Sequence, residues 1–330
     1  MTAAMDGPFA LEAKDLGKSY RSGQWALRHC DFTVPAGRIC GVVGPNGAGK
    51  STLFGLAARL FAPSEGELRV LGESVRTRAT PELRARVAHV TQEKPLYRTF
   101  TVADTLRLGR ELNPNWDQQT AQRVVELGEL SPTDRIGALS GGQRSRVALA
   151  LTLGKRAELL LLDEPFADLD PLARHELTGI LLARAAEHGT TVLISSHLVS
   201  ELEDVLDHVL LVQSGGVRLA GDLDELLDAH RLVSGLADAE RPAGQVVEWR
   251  VTGRQATGLI RTGVPGAPAE PLPARWEATR PRLDELLLAH LRNPAGTASP
   301  TGTGGQPEPP APGTESACPD RPSTTREAAA

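Results

Sequence analysis

Short, wholly apolar runs alternate with stretches of helical spacing along most of this chain, a pattern that predicts buried strands joined by helices. Residues 38–43 (Arg38-Ile39-Cys40-Gly41-Val42-Val43) read as one such strand, and residues 51–60 as the helix that follows it. Further strands are expected over residues 67–72, 87–92, 159–162 and 191–196, and helices over residues 81–85, 144–154 and 172–187. Between residues 101 and 138, Val102, Leu106, Leu108, Ala121, Val124, Val125, Leu127 and Leu130 keep mainly helical spacing, interrupted by Asn113-Pro114-Asn115-Trp116-Asp117. That stretch reads as a mostly helical insertion. Residues 9–34 instead alternate short apolar stretches with Gly and Asp and end in the turn signal Pro35-Ala36-Gly37, which predicts an antiparallel β layer. Residues 209–212 and 217–221 flank Gly215-Gly216 as a closing hairpin; beyond it, residues 246–251 have strand character and residues 283–291 helical character. From 293 to 330, Pro, Gly, Thr and Ser dominate and large apolar residues are absent, so disorder is expected there: such a segment cannot bury enough surface to offset its ordering entropy.

Composition changes this picture mainly by exclusion. With 40% hydrophobic and 23% charged residues over 330 positions, the chain suits a soluble globular protein with one large core and an appendage, or with two domains. A net charge of −5 supplies no overall basic balance, so no direct nucleic-acid binding is expected. No apolar run approaches the roughly 20 residues that span a bilayer, and the N-terminus lacks a basic region followed by an apolar one. Cys30, Cys40 and Cys318 are scattered without metal-ligand spacing and read as reduced thiols. A cytoplasmic protein is the expectation.

Chemistry enters at Gly44-Pro45-Asn46-Gly47-Ala48-Gly49-Lys50-Ser51-Thr52, which fits G-x-x-x-x-G-K-[ST] between a strand and a helix. Glycines let the backbone approach phosphate oxygens, the helix start offers unpaired N–H groups, Lys50 adds a point charge and the Ser51 hydroxyl can ligate Mg²⁺. Leu159-Leu160-Leu161-Leu162-Asp163-Glu164-Pro165 delivers two carboxylates at the end of a buried strand, one suited to stand near Mg²⁺ and the other near an attacking water. His197 follows another buried strand at the same sheet edge. Ser140-Gly141-Gly142-Gln143 opens a second helix with Ser140 in N-cap position, a second anion site without a lysine and incomplete for binding a nucleotide unaided. Two residues keep alternatives open. Tyr20 either stacks on a base or packs on the sheet, and Gln92, at the polar end of its strand, either contacts a ligand or makes a loop hydrogen bond.

Taken in order, Tyr20, residues 44–52, Gln92, Leu139-Ser140-Gly141-Gly142-Gln143, Leu162-Asp163-Glu164-Pro165 and His197 make the chain resemble the ATP-binding subunit of an ABC transporter over about residues 9–222. The resemblance implies an α/β P-loop NTPase fold: a RecA-like core with an N-terminal antiparallel β layer and a helical subdomain at about residues 93–155. A small accessory region over residues 223–292 would follow, then the tail at 293–330. It also implies two copies, or one copy and a closely related ATPase subunit, facing each other head to tail. Each ATP would lie between the phosphate loop of one and residues 140–143 of the other. Tyr20 would stack on adenine, Ser51 and Gln92 would serve Mg²⁺, and Asp163 would hold the metal's water shell. Glu164 resembles the general base and His197 the switch histidine at the γ-phosphate. A separate transmembrane permease subunit is implied, with this chain peripheral on the inner face of the membrane. Residues 113–117 and the compact helical region are similar to bacterial multidrug- or antibiotic-type exporters. A soluble member of the superfamily, acting in cofactor assembly or on DNA or ribosomes, is the alternative. One departure stands out: where the family usually has Ser-Ala-Leu-Asp or Ser-Gly-Leu-Asp, this chain has Ala167-Asp168-Leu169-Asp170.

Overall fold

A computed structural model describes residues 9–20, 23–196, 203–262, 273 and 275–293. Contacts divide the chain after Gly296, and all described residues lie in the first unit; the tail expected to be disordered lies outside them from residue 294 onward, as does His197. Two long strands come first, β1 (Phe9–Ser19) and β2 (Trp25–Pro35). Next are β3 (Ile39–Val43), α1 (Lys50–Ala57), β4 (Glu65–Val70) and β5 (Glu73–Ser74), then α2 (Pro81–Arg86) and β6 (Val87–Val90). The helical stretch contributes α3 (Val102–Leu112), α4 (Gln118–Glu126) and α5 (Gly141–Gly154), and the chain returns through β7 (Leu159–Asp163), α6 (Pro171–His188) and β8 (Thr191–Ser195). The hairpin β9 (His208–Gln213) and β10 (Gly216–Asp222) closes this part.

These elements form the expected α/β architecture. An antiparallel sheet in the order β2-β1-β4-β5 stands beside a six-stranded sheet in the order β10-β9-β3-β8-β7-β6, parallel except for β10. The central strands are continuous apolar runs because both of their faces are covered. In β7, Leu159 and Leu161 enter one core cluster with Leu11, Leu16 and Phe54, while Leu160 and Leu162 enter another with the helical stretch and α6.

One local difference from the sequence expectation has a clear cause. The first helix stops at Ala57 rather than reaching Leu60. Arg59 adopts φ 57°, Leu60 N donates to Gly55 O and Arg59 N to Leu56 O, the two bonds of a Schellman ending. An arginine tolerates this glycine-like position because its guanidinium donates to Thr77 O and Glu73 O. Residues 113–117 form a packing junction. The Trp116 ring lies where an added Cβ on either Gly109 of α3 or Gly154 of α5 would come within 2.7 Å of it. Asp117 caps α4 through Thr120 N and pairs with Arg184 of α6 at 2.8 Å.

After β10 come α7 (Leu223–Asp228), β11 (His230–Leu236), β12 (Gln245–Thr252), β13 (Gln255–Arg261), β14 (Trp276–Thr279) and α8 (Leu283–Arg292). The four strands make an antiparallel sheet, β12-β13-β11-β14. Val247 and Leu259, with Leu283, Leu286 and Leu287 of α8, join the core that also holds Val209 and Leu211, so this region shares a hydrophobic cluster with the main sheet. Trp276, Val233 and Ile260 form a separate small cluster. Among the described residues, no helix is long and apolar enough to cross a membrane.

Candidate functional site

Strand β3 delivers residues 44–49 to the carboxyl edge of the parallel strands, and α1 carries the chain away. Only glycine fits at two points of this loop. At Gly44 (φ 154°) the Val212 carbonyl occupies the place of a Cβ, and at Gly49 (φ 113°) the Ala26 carbonyl lies 2.6 Å from that place. The loop is anchored from outside by Gly215 N, which donates to Ala48 O at 3.1 Å. Gly49 is the N-cap of α1 and no side chain caps it, so the positive end of the helix faces the loop. Such a terminus suits a phosphate group. The Lys50 ammonium folds back into the loop, donating to Gly44 O at 2.6 Å and Pro45 O at 3.2 Å. Burial pushes its pKa down, and the nearby Glu164 and Asp163 carboxylates oppose that push.

Tyr20 stands at the entrance. Its hydroxyl is 3.3 Å from Thr52 Oγ1, its ring meets Phe61 edge-on at 6.2 Å between centroids, and it belongs to neither large buried cluster. Tyr20 is 47% exposed, and the Lys18 ammonium lies over its ring, 5.8 Å from the centroid.

Asp163 ends β7 and Glu164 follows it, both buried. Glu164 has φ 50°, a left-handed conformation that glutamate rarely adopts and that costs of the order of 1 kcal/mol. Ser195, at the end of β8 and directly in register with Asp163, holds this turn. Its hydroxyl accepts from Glu164 N at 2.8 Å and donates to Asp163 Oδ1 at 2.7 Å. Nothing in a motif marks Ser195. The available signal was a hydroxyl at the end of one buried strand, opposite a carboxylate at the end of the next. His89 in β6 was equally unmarked; it stacks on Phe54 of α1 at 6.4 Å, with its Nε2 buried and without a partner among the described residues. Burial lowers its pKa, with Asp163 pulling the other way.

Gln92 lies exposed in the turn after β6, and Lys94 beyond it is buried. At the start of α5, Ser140 and Gln143 form a capping box: Gln143 N donates to Ser140 Oγ at 3.2 Å, and Ser140 N to Gln143 Oε1 at 2.9 Å. The first two helical residues, Gly141 and Gly142, keep backbone N–H groups that an α-helix cannot satisfy internally. Asp168 backs this helix start: a Cβ on Gly142 would stand 2.8 Å from its carbonyl oxygen. Thus Lys50, Asp163 and Glu164 are brought together, with Tyr20 beside Thr52. Among the described residues, no hydrogen bond or ion pair joins residues 140–143 to residues 44–52.

A family model described as ABC transporter matches residues 27–167. An uncharacterized ABC transporter ATP-binding protein of Nostoc sp. is 31% identical over 266 residues, which cover 77% of this chain and 76% of that relative. The chain belongs to the ABC transporter ATP-binding family. This ABC ATPase is also 37% identical to the thiamine import ATP-binding protein ThiQ of Vibrio parahaemolyticus, over 63% of its own length and 90% of that relative's. A bacterial Atm1-family ABC exporter solved with ATP bound has a TM-score of 0.58 and 28% identity, over 66% of this chain and 39% of that chain. The protein is an ATP-binding and ATP-hydrolysing subunit of an ABC transporter.

Proposed function

We propose that this ABC ATPase works as half of a head-to-tail pair, with each ATP held between residues 44–52 of one copy, or of a closely related subunit, and residues 140–143 of the other. The observation that carries this reading is the absence, among the described residues, of any bond between the two glycine-rich helix starts of one chain, although each offers backbone donors of its own. Lys50 and the open start of α1 take the β- and γ-phosphates; Ser140, Gly141, Gly142 and Gln143 of the facing copy close over the γ-phosphate. Tyr20 stacks on the adenine.

The residues fit Mg²⁺. The Ser51 hydroxyl, the exposed Gln92 amide and the buried Asp163 carboxylate are a sparse set of hard oxygen donors, suited to a cation that keeps several waters and phosphate oxygens. When bound, the ion neutralises charge on the phosphates. Glu164 is the general base, presented by a constrained backbone that Ser195 supports. His197, outside the described residues, is assigned to the γ-phosphate by family resemblance alone. Residues 9–222 are the ATPase unit in this reading, and residues 223–292 an accessory region.

A cleft of about 650 Å³, lined by Arg84, Ala88, His89, Leu108, Leu112 and Lys155 among others, lies between the main sheet and the helical stretch. We assign it to a cytoplasmic helix of a separate transmembrane permease, which places this chain at the inner face of the membrane. Membership of the ABC transporter family favours this partner over a soluble role. The exporter expectation rested on residues 113–117 together with the compact helical region, and residues 113–117 pack against α3, α5 and α6. Relatives named for import and for export match this same cassette. The direction of transport therefore belongs to the permease.

Glu164→Gln tests the reading. Turnover is expected to fall by about 10²–10⁴-fold, with ATP binding retained and an ATP-dependent dimer accumulating on size-exclusion chromatography. Unchanged turnover would remove the base assignment; a monomer at saturating ATP would remove the composite site.

A further inference from the structure

Asp168 is the acid that departs from the family's usual segment, and its carboxylate joins three parts of the site. Oδ2 accepts from Lys94 Nζ at 2.7 Å and from Ser145 Oγ at 3.3 Å. Lys94 lies in the loop that carries Gln92, with its ammonium buried at 5% side-chain exposure, φ 47°, and its own N–H bonded to Thr91 O. Ser145 is fully buried on α5 and shares its hydroxyl hydrogen with Gly141 O at 3.0 Å, so it reports directly on the start of that helix. Asp168 itself belongs to the loop running from Glu164 to α6. Its carbonyl approaches Gly142 so closely that a Cβ there would be 2.8 Å away.

Removing an ammonium from water costs several kcal/mol unless an anion meets it at good geometry. The Lys94 contact is such a pair, and its hydrogen bond holds the Asp168 carboxyl below the usual carboxylate range. One half-exposed carboxylate therefore holds the Gln92 loop against the loop of Glu164 and against the helix that begins with residues 140–143. A shift of the Gln92 loop cannot leave Asp168 in place without stranding the buried cation.

We propose that Asp168 is a positioning residue for ATP turnover, which fixes Gln92 relative to Glu164 through Lys94 and ties the start of α5 to the same loop through Ser145. This rests on the roles given above to Gln92 and Glu164. It makes the acidic departure a coupling element: a displacement of the Gln92 loop carries the Asp168 loop and the start of α5 with it.

The test is the full chain carrying Asp168→Asn, Asp168→Glu or Lys94→Met, each alone and Asp168→Asn also in a Gln92→Ala background, with ATP affinity measured by titration beside kcat and KM. Asp168→Asn and Lys94→Met are expected to lower kcat about tenfold while the Kd for ATP stays within about twofold, because the phosphate loop is untouched. Asp168→Glu, which keeps the charge, is expected to retain most of kcat. In the Gln92→Ala background Asp168→Asn should lower kcat no further than Ser145→Ala does by itself, since only the α5 arm is left to lose. Wild-type kcat in Asp168→Asn, or the same tenfold loss in both backgrounds, overturns the proposal. If a charge-removing variant fails to fold, Ser145→Ala breaks the α5 arm alone; wild-type kcat in that variant overturns the α5 part. Gln92→Ala by itself separates the levels: no loss of turnover there overturns the role of Gln92, whereas a normal loss with an additive Asp168→Asn overturns only the positioning role.

Discussion

The two glycine-rich helix starts of this chain use the same backbone chemistry in opposite ways. At α1 the N-cap is Gly49 with no capping side chain, and the neighbouring Lys50 is buried against the loop's own carbonyls. At α5 the N-cap is Ser140, a capping box satisfies two of the donors, and Asp168 packs behind the glycines. The first start is left open and is supplied with a cation. The second is pre-shaped by its own side chains, and the cation of its first turn, Arg144, donates to the Leu139 carbonyl at 2.6 Å. A phosphate would therefore bind at α1 first, and the α5 start would add contacts to a phosphate already held. In the proposed head-to-tail reading, primary binding falls to the first terminus and closure to the second.

The sharpest way to break this comparison is Lys50→Ala, which is expected to weaken ATP binding by about 10²-fold or more, since it removes the buried ammonium of the cradle from a low-dielectric site. Nucleotide titration checks it, and an equal loss on substituting Ser140 would erase the proposed ranking. Next come the glycines. Gly44→Ala places a methyl on the Val212 carbonyl at φ 154° and is expected to destabilise by several kcal/mol, of the order seen for strained core sites. Gly142→Ala meets the Asp168 carbonyl at 2.8 Å but gains helix propensity, and is expected to cost about 1 kcal/mol. Urea unfolding of the two variants measures the gap. Ser140→Ala should cost about 1 kcal/mol through loss of the cap, with ATP affinity of the isolated chain unchanged.

The smallest expected effect is on pH dependence, and its sign differs between the two sites. Lys50 has a folded pKa below its unfolded value of 10.5. The cost of burying its charge is therefore present in full at neutral pH and is relieved as pH rises through the folded pKa toward 10.5. Asp168 has a folded pKa below 3.8, so its contribution is present above that value and is lost as pH falls through the folded pKa. Thermal melts of nucleotide-free Lys50→Met should exceed wild type at pH 7–8 and converge toward pH 10.5; those of Asp168→Asn should fall below wild type at neutral pH and converge in acid.

Much of the architecture was legible because its signals are local. The apolar runs of β3, β7 and β8, the loop at residues 44–52 and the cap at Ser140 each depend on residues adjacent in the chain. The strand over residues 246–251 and the helix over 283–291 were legible for the same reason. Strands β11, β13 and β14 were not, since their apolar residues are few and their identity comes from pairing across distant segments: His230 with Arg261, Gly235 with Trp276. Residues 113–117 were legible as the break between two helices; that they also pack against α3, α5 and α6 was not, because those neighbours are distant in the chain.

The sequence by itself determined which chemistry is available: a lysine in a glycine-rich cradle, two acids at a strand end and a capped glycine pair opening another helix. Tertiary structure alone decided what holds these groups. Ser195 reaches Asp163 and Glu164 because β7 and β8 pair in parallel register. Asp168 reaches Lys94 because β6 and β7 are neighbours in that sheet, with the two loops leaving the same edge. Hydrogen bonds and ion pairs act over about 3 Å, and which side chains come that close across long stretches of sequence is set by strand order and register.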